Sequence, residues 1–428
     1  MTTRRTNRKD VKVTTSAPDT QAEQPGAAGP PPFSIIGVGA SAGGLEAVSQ
    51  LLEHLPCDGS LALVVVQHLA PAHESILAEL LDHKSPLPVS EVTDGTPVEA
   101  DHAYVIPPGF DMRLEGNLLR LTPRDQTQRP PMPIDGFFRS LAEVLGRRAI
   151  GVVLSGAASD GTLGLSAIKA EGGITFAQDP ASAAYDGMPR AAIAANVVDY
   201  VLAPPAIAAE LARIAHHPYV APDGLALALP AKLGEASELY PVIFDLLRRA
   251  FGLDLTHYKF NTIGRRIARR MALRHIEALE EYVALLRDDP AELEALYQDV
   301  LIMVTEFFRE PETFTTLREV VFPALTDGRS PGQELRLWVP GCASGEEAYS
   351  LAMALDDFLT AASLRPQVKV FATDVNQRAI DRARPGIYGE SVASSVSSDY
   401  LVRYFAKVDG ATRFPRQSAS SASSPPMT

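Results

Sequence analysis

The amino-acid sequence predicts an α/β fold, in which a doubly wound, mainly parallel sheet is followed by a small helical domain and an incomplete Rossmann-like domain. Three observations support this prediction. Strand-like and helix-like runs alternate from residue 33 to about 215, and the pattern becomes helical from residue 235. A second strand–turn–helix unit then begins at Leu335.

The predicted strands follow from short apolar runs, because strands of a parallel sheet are buried on both faces. In the first half they cover residues 35–39, 61–66, 103–106, 118–122, 149–154, 174–177 and 200–202. Gly116 and Asn117 are typical of a hairpin turn, and the polar, proline-rich stretch 122–133 is typical of a loop. In the second half we expect strands at 335–339 and 368–373, with a helix at 348–359 between them.

Composition divides the chain into six segments. Residues 1–32 and 415–428 are poor in apolar side chains, so both are expected to be disordered tails. Proline, alanine and glycine at 216–234 predict a linker. The remaining segments are an α/β domain at 33–215, a helical domain at 235–300 and a partial second α/β domain at 301–414.

Length, charge and cysteine content exclude several classes of function. A chain of 428 residues suggests two or three domains, and its net charge of −13 argues against a nucleic-acid partner. Cys57 and Cys342 form no CxxC or metal-binding pattern, so we expect no metal site and a reducing, cytoplasmic location. No apolar run approaches the roughly 18 residues of a transmembrane helix, so direct membrane insertion is not expected.

The turn after the first predicted strand presents a serine between glycines. The sequence IGVGASAGG places Ser41 at the apex of a tight turn between a strand and a helix. The spacing Gly39-x-Ser41-x-Gly43 fits a nucleophile elbow, which exposes a serine hydroxyl. The overlapping spacing Gly37-x-Gly39-x-x-Ala42 fits a weak dinucleotide-binding fingerprint. A third explanation is a serine that only caps the helix.

The ends of two further strands favour the nucleophile. The second predicted strand ends at Gln67 and His68, where a dinucleotide site would need an acidic residue for the ribose. The strand at 149–154 leads into a turn that contains Asp160. Because parallel strands end at the same edge of a sheet, Ser41, His68 and Asp160 are expected to meet as nucleophile, general base and orienting carboxylate.

His68 and Asp160 also have simpler explanations. His68 could be a packed histidine at a strand end, and Asp160 could cap the helix that is expected to begin at Thr162. The capping role is compatible with a catalytic one. In the catalytic interpretation, backbone N–H groups of the glycine-rich turns would hold the oxyanion.

Four arginines share one face of a predicted helix. They lie within six residues, opposite an apolar arc of the helical wheel, and are Arg265, Arg266, Arg269 and Arg270. A solvated face is the simplest explanation. In an acidic chain, however, this concentration of positive charge favours an acidic partner helix over a nucleic acid.

The second strand–turn–helix unit resembles a nucleotide site with acidic residues. Its turn contains Glu346 and Glu347, and Asp374 follows the next strand at the position of a ribose contact. The two glutamates would repel a pyrophosphate. A cationic or zwitterionic nucleoside such as S-adenosylmethionine fits this turn better.

The motifs of the first half resemble those of the CheB family of chemotaxis protein-glutamate methylesterases. The matching stretches are IGVGASAGG, VVVQHL and LSGAASDGTLG, and the resemblance covers about residues 33–205. It implies a catalytic triad of Ser41, His68 and Asp160, an oxyanion contact from the backbone N–H of Ala157, and deamidation of glutamine besides ester hydrolysis. The family's usual receiver domain is not expected here, since only about 32 residues precede the fold.

The second half resembles the CheR family of receptor methyltransferases. The matching stretches are FNTIGRRIARRM, VTEFFREPETF, VPGCASGEEAYSLA and FATDVN. The resemblance implies that S-adenosylmethionine is held by Thr305, Arg309, Glu346 and Asp374, and that the basic helix faces the receptor substrate. Together the two halves resemble fused CheB–CheR proteins, whose partners are methyl-accepting chemoreceptors or related sensory proteins.

One departure from the CheR family concerns the end of the chain. The family's methyltransferases continue beyond Phe414 with further strands, whereas this sequence turns serine- and proline-rich there, as a frameshift or broken gene would produce. We therefore expect the methyltransferase half to be inactive or poorly folded. Two other functions remain open: a receptor-binding scaffold without catalysis, and a nicotinamide oxidoreductase that uses the turn at 37–44.

Overall fold

The computed structural model describes most of the chain. It covers residues 31–69, 76–124, 132–221, 239–255, 258–301, 305–328, 333–389, 392–408 and 411–414. The predicted tails lie outside these residues except for Pro31 and Pro32. Most of the predicted linker at 216–234 and of the predicted loop at 122–133 also lies outside them.

The first half alternates strands and helices, as its sequence pattern predicts. Its strands are β1 Ser34–Ala40, β2 Leu61–Gln67, β3 Val89–Glu91, β4 Thr96–Pro97, β5 Ala103–Val105, β6 Phe110–Glu115, β7 Leu118–Pro123, β8 Ile150–Val153, β9 Ile174–Gln178 and β10 Tyr200–Leu202. Its helices are α1 Gly44–Leu52, α2 Leu77–Asp82, α3 Pro133–Leu145, a 3-10 helix Gly146–Arg148, α4 Thr162–Ala170, α5 Gly187–Ala194 and α6 Pro204–Ala215. Every strand predicted in this half is confirmed, whereas the apolar runs do not predict β3, β4 and β6.

Seven parallel strands form the main sheet, in the order β10-β9-β8-β1-β2-β5-β3. Strand order reverses at β1, since β2 lies along one of its edges and β8 along the other. Such a switch point leaves a crevice at the carboxyl ends of the strands, where open α/β sheets bind ligands.

Helices cover both faces of the main sheet. Leu51 of α1 and Leu211 of α6 belong to the apolar cluster on one face. Phe138 of α3 and Leu165 of α4 belong to the cluster on the other face. The doubly wound arrangement that the sequence predicts is therefore confirmed.

A small antiparallel sheet stands beside the main one. It has the order β4-β7-β6, and its β6–β7 hairpin turns at Gly116 and Asn117. The φ angle of Gly116 is 64°, a left-handed value that glycine adopts without strain. The hairpin predicted at these two residues is confirmed.

The second half begins with helices and continues with two small sheets. Its helices are α7 Leu239–Phe251, α8 Phe260–Leu273, α9 Leu279–Asp288, α10 Pro290–Val300, α11 Pro311–Thr316, a π-helix Leu317–Val321, α12 Phe322–Thr326, α13 Glu346–Ala361, α14 Gln377–Ala383, α15 Val392–Ser395 and α16 Ser398–Tyr404. Its strands are β11 Leu335–Pro340, β12 Val368–Thr373, β13 Ile387–Gly389, β14 Ala406–Val408 and β15 Ala411–Arg413.

The second half has apolar clusters of its own. Helices α7 to α10 share one cluster around Leu247 and Tyr282. Two further clusters include residues of β11 and β12, and a third is formed by residues of α13, α15 and α16 together with Phe307 and Phe414. In the described residues β11 pairs only with β12, and Trp338 on this pair is 69% exposed.

The described ranges contain neither a candidate membrane span nor a candidate metal cluster. None of their helices is long and apolar enough to cross a bilayer. Nowhere in them do three or more His, Cys, Asp or Glu side chains converge as metal ligands would.

Candidate active site

Three strand ends bring Ser41, His68 and Asp160 together. Ser41 follows β1, His68 follows β2, and Asp160 lies in the loop between β8 and α4. Nδ1 of His68 lies 3.2 Å from Oγ of Ser41, and Nε2 of the same ring lies 2.8 Å from Oδ2 of Asp160. The imidazole thus connects a hydroxyl to a carboxylate, as in a serine hydrolase.

The carboxylate determines the tautomer of His68. An ionised Asp160 can only accept hydrogen bonds, so the proton of the neutral imidazole belongs on Nε2. Nδ1 is then free to accept the hydroxyl proton of Ser41. The side chain of His68 is 30% exposed and that of Asp160 only 1%, so the base is reachable by a substrate while the carboxylate is buried.

The amino end of α3 holds the carboxylate of Asp160. Backbone N–H groups of Ile134 and Asp135 donate to Oδ2 and Oδ1 at 3.1 and 2.9 Å, and the N–H of Gly161 donates to Oδ1 at 2.9 Å. A helix amino terminus stabilises an anion through these N–H groups and through the helix dipole. The simpler interpretation that Asp160 caps α4 is wrong in its detail, because the helix start that it caps is that of α3.

Asp135 is a second buried carboxylate beside the triad, and none of the sequence motifs indicates it. Its side chain accepts the N–H of Gly164 at 2.7 Å, so it joins α3 to the first turn of α4. Burial, helped by the nearby charge of Asp160, raises the pKa of Asp135 to about 7. Pro133 at the first helical position was the available signal, since it marks a helix start two residues earlier.

The loop after β8 lies directly against the Ser41 turn. The backbone N–H of Ser41 donates to the carbonyl oxygen of Ser155 at 3.0 Å, and Oγ of Ser155 donates to that of Ala42 at 2.9 Å. A Cβ atom placed on Gly156 would lie 3.0 Å from Cβ of Ser41. The next residue, Ala157, is therefore close to the serine.

Ala157 has an N–H group suited to an oxyanion. This N–H donates to no other group among the described residues. Its neighbour Ala158 has a φ angle of 65°, a left-handed conformation that is uncommon outside glycine. Strained backbone of this kind is frequent where a loop orients groups for function.

The glycines before Ser41 allow a helix to pack closely against β1. A Cβ atom on Gly37 would lie 2.8 Å from the ring of Phe138, and one on Gly39 would lie 2.4 Å from Ile134. Both contacts are with α3. Close helix packing therefore accounts for Gly37 and Gly39 without a bound dinucleotide.

A cleft of about 540 Å³ opens at the triad. It is lined by Ser41, His68 and Gln67, and by Leu80 and Lys84 from the segment that contains α2. Its volume is within the range of small-ligand pockets, roughly 300 to 1,000 Å³. A side chain carried on a partner helix could enter it.

A second group of predicted residues lines a cavity in the other half. Thr305, Ser344 and Glu346 all face this cavity, and Oγ of Ser344 donates to the Glu346 carboxylate at 2.8 Å. Burial raises the pKa of Glu346 above its ordinary value, although its bonds to Ser344 and Thr305 oppose the shift. A partly buried carboxylate beside the hydroxyls of Ser344 and Thr305 fits a cationic nucleoside.

Arg309 and Asp374 are arranged differently from Thr305 and Glu346. Neither of them lines the same cavity. The oxygens of Asp374 accept the backbone N–H groups of Ala343 and Asn376 at 2.8 and 2.7 Å, so this side chain braces the two turns. Arg309 is exposed.

The prediction that Arg269 belongs to a basic face open to a partner is wrong. This side chain is fully buried and forms ion pairs with Asp199 of the first half and with Asp299 of α10. A helical wheel shows that a face is polar but does not show what covers it. Here the covering surface is the first half of the chain.

Two further members of that face are also engaged within the chain. Arg266 donates to the carbonyl oxygens of Lys169 and Ala170 in α4, and Arg270 pairs with Glu292 at 2.5 Å. Arg265 alone of the four is exposed. The four arginines therefore do not form a common surface for a partner in this structure.

Comparison with known families matches most of the chain in three pieces. Residues 36–211 match CheB methylesterase. Residues 238–301 match the all-alpha domain of CheR methyltransferase, and residues 303–420 match its SAM binding domain.

Curated relatives match parts of the chain. An uncharacterized 104.1 kDa protein from the hypE 3' region of Rhodobacter capsulatus is 39% identical over 77% of this chain and 36% of its own length. A protein-glutamate methylesterase/protein-glutamine glutaminase of Photorhabdus laumondii is 41% identical over 39% of this chain and 49% of its own length. The chain thus spans between about a third and a half of these relatives.

One solved structure was also similar. The CheB methylesterase catalytic domain of Thermotoga maritima is 31% identical, with a TM-score of 0.40, and the match covers 42% of this chain and 98% of that domain.

Proposed function

Because this chain joins a CheB methylesterase domain to the two domains of a CheR methyltransferase, we propose that its first half hydrolyses γ-glutamyl methyl esters on the helices of sensory receptors. The observation that supports this most is the continuous contact from Ser41 through His68 to the buried carboxylate of Asp160. The triad is the reason for preferring an enzyme over a scaffold.

The reaction proceeds in two steps. Oγ of Ser41 attacks the ester carbonyl while Nδ1 of His68 takes its proton, and the same nitrogen then returns that proton to the departing methanol. Water attacks the resulting acyl-enzyme with His68 again as the base. Glutamate and free Ser41 are the products.

Asp160 and Ala157 stabilise the charges that develop in these steps. The carboxylate of Asp160 holds the imidazole in one tautomer and stabilises the imidazolium that forms. The N–H of Ala157 is directed to the oxyanion of the tetrahedral intermediate, an interaction that gains strength only as charge develops. The same apparatus deamidates glutamine side chains, with ammonia in place of methanol as the leaving group.

The partners and location follow from the families and belong to the same proposal. Methyl-accepting chemoreceptors or related sensory proteins supply the methyl esters, and the reaction takes place in the cytoplasm. The functional units are the segments 33–215, 235–300 and 301–414, with a linker at 216–234.

The methyltransferase half binds S-adenosylmethionine in our proposal but does not turn over. Thr305 and Glu346 are the residues that would hold the cofactor, which supplies the methyl group when bound. The apolar clusters of this half argue against poor folding. Its parallel sheet, however, has two strands in the described residues and exposes Trp338 and Phe371, which a larger sheet would cover.

The esterase proposal is tested by methanol release. The purified chain is incubated with methylated receptor fragments, beside a Ser41→Ala variant and a Ser90→Ala control in β3. We expect release from the wild type and the control and none from Ser41→Ala. No release from any of the three proteins would favour the receptor-binding scaffold instead.

Methyl transfer is tested separately with radiolabelled S-adenosylmethionine and unmethylated receptor fragments. We expect no label in the receptor above the level without protein. Labelled receptor would show that the second half is an active methyltransferase.

A further inference from the structure

A cavity of about 530 Å³ lies between the two halves of the chain. On one side it is lined by the loop before α4, by α4 and by the end of α5. On the other side it is lined by Thr305, by the turn before α13 and by residues around α14 and β13. It is therefore a shared cavity, and each half contributes one wall.

The wall from the first half is polar where α4 begins. Ser159, Thr162, Ser166 and Lys169 all line the cavity. Oγ of Ser159 and Oγ1 of Thr162 are buried and have no hydrogen-bond partner among the described residues. Most buried polar groups in proteins are paired, so these two shielded hydroxyls would gain a partner if they rotated towards a polar ligand in the cavity.

The opposite wall is the proposed cofactor site. Glu346, Ser344 and Thr305 face the cavity from the second half, together with Tyr388 and Arg382. The volume of the cavity falls within the range of sites for small molecules and cofactors. A ligand held by Glu346 would therefore lie against the first half as well.

Direct contacts fix the two walls relative to each other. Arg139 of α3 forms a forked ion pair with Glu306, with three N···O distances of 3.2 Å. Nη1 of Arg382 donates to the carbonyl oxygen of Ala195 at 2.7 Å. These contacts join the two walls, and a forked Arg–carboxylate pair restricts their relative orientation more than a single hydrogen bond does.

We propose that the esterase half forms one wall of the nucleoside site, so that a ligand held by Thr305 and Glu346 also contacts α4. The inference rests on the proposed cofactor site. Helix α4 begins two residues after Asp160, so the ligand binds behind the loop that carries the catalytic carboxylate. Ligand binding in the nucleoside site therefore affects how well the loop that carries Asp160 is ordered.

Hydrogen–deuterium exchange of the full chain tests this directly, with S-adenosylhomocysteine as the probe. We expect slower exchange in both α13 and α4 when the probe is present, and no change in α1, which lies on the other face of the main sheet. Protection of α13 without protection of α4 would overturn the shared wall. Protection of neither helix would overturn the nucleoside site itself.

Calorimetric titration of two matched variants adds an affinity readout. Ser166→Trp places a bulky side chain on the α4 wall and should weaken binding of the probe by about tenfold or more. Ser90→Trp makes the same change on exposed β3 and should bind as the wild type does. Equal affinity in both variants would contradict the shared wall, and a misfolded Ser166→Trp would leave the exchange measurement decisive.

The test also separates this inference from the esterase function. Methanol release depends on Ser41 and on the cleft at β1, neither of which borders the shared cavity. A chain that releases methanol but shows no protection in α4 keeps the proposed esterase and loses this inference. A chain that shows protection without methanol release keeps the inference and loses the esterase.

Discussion

Asp160 connects the start of helix α3 to the imidazole of His68. Its Oδ2 accepts the ring N–H of His68 and the backbone N–H of Ile134, while its Oδ1 accepts two further backbone N–H groups. All of these bonds need an acceptor on both oxygens. An asparagine side chain, in which the NH2 group donates and only the oxygen accepts, cannot accept all of these hydrogen bonds.

Asp160→Asn should therefore damage catalysis more than binding. The amide either turns its NH2 towards backbone donors or forces His68 into the wrong tautomer, and the kcat for methanol release should fall by about 10³- to 10⁴-fold with little change in KM. Steady-state kinetics measure both constants, with the exposed Asp94→Asn as control. A variant with nearly normal kcat would show that Asp160 has no orienting role.

Asp135 should make the stability of the protein depend on pH. Burial raises its pKa to about 7, against about 3.9 for an unfolded chain. Between these values the folded state keeps a proton that the unfolded state has lost, so stability falls as pH rises from about 4 to 7 and is flat above. The loss is at most roughly 4 kcal/mol.

Denaturant titrations of wild type and Asp135→Asn at pH 5 and pH 8 check this dependence. The wild type should lose more stability between the two pH values than the variant, because asparagine does not ionise. The same pH dependence in both proteins would assign it to other groups.

The sequence predicts the triad residues but not the groups that hold them. Ser41 and His68 stand at the ends of apolar strands, which a linear pattern reveals. The amide donors of Ile134 and Asp135 come from a helix far away in the chain, and their approach to Asp160 depends on how α3 packs. Tertiary packing of this kind leaves only a weak signal, here the proline that opens the helix.

At the scale of elements, the packing of α3 on β1 positions the site. Gly39 lies under Ile134, and Ile134 supplies one of the N–H groups that hold Asp160. A side chain at position 39 would push the start of α3 away from the sheet. The first glycines of this stretch thus allow α3 to pack on β1, and the later ones form the turn.

Gly39→Ala should therefore reduce both stability and activity. The added methyl group would lie 2.4 Å from Cγ2 of Ile134, and overpacking of this kind costs about 1–3 kcal/mol. Thermal or chemical unfolding and methanol release measure the two effects. Gly136→Ala is the matched control on α3 itself, since a Cβ atom there meets nothing within 4 Å, and it should be neutral or stabilising by up to about 1 kcal/mol.

If Gly39→Ala were as stable as the wild type, α3 would have to shift freely to make room for the added methyl group. The proposed link between helix packing and the triad would then fail.

The predicted strands were found from runs of apolar residues, whereas β3, β4 and β6 lack such a run. The apolar runs of β1, β2 and β8 are buried on both faces and are easily recognised. β6 alternates polar and apolar residues, a period-two pattern that a search for continuous apolar runs overlooks. β3 and β4 are too short to show any period.

At the scale of the whole molecule, a buried ion network joins the two halves. Arg269 of α8 lies between Asp199 and Asp299, and Lys169 approaches Asp199 at 3.1 Å. Burial alone would raise the pKa of Asp199, but Arg269 and Lys169 together lower it to about 2. The sequence shows the charge of Arg269 but not its partners, which lie in distant segments.

Arg269→Met should destabilise the chain strongly, because it leaves two carboxylates without their shared partner. Breaking a buried ion pair from one side costs about 3–5 kcal/mol. Denaturant unfolding of the variant measures the loss, with Arg265→Met on the same helix as control. The exposed Arg265 should contribute no more than about 1 kcal/mol.

Similar losses in the two variants would contradict a buried network at Arg269. Receptor binding that fails in Arg269→Met while its stability is unchanged would instead favour a basic face that contacts a partner.

Labelling of Ser41, followed by peptide mapping, is the most direct test of the proposed esterase. With a fluorophosphonate, Oγ of Ser41 would form a bond to phosphorus as fluoride leaves, and His68 would take the hydroxyl proton. We expect one adduct on the peptide that contains Ser41, formed much more slowly in His68→Ala. Absence of an adduct, an adduct on another residue, or equal rates in the two proteins would contradict a Ser41–His68–Asp160 esterase.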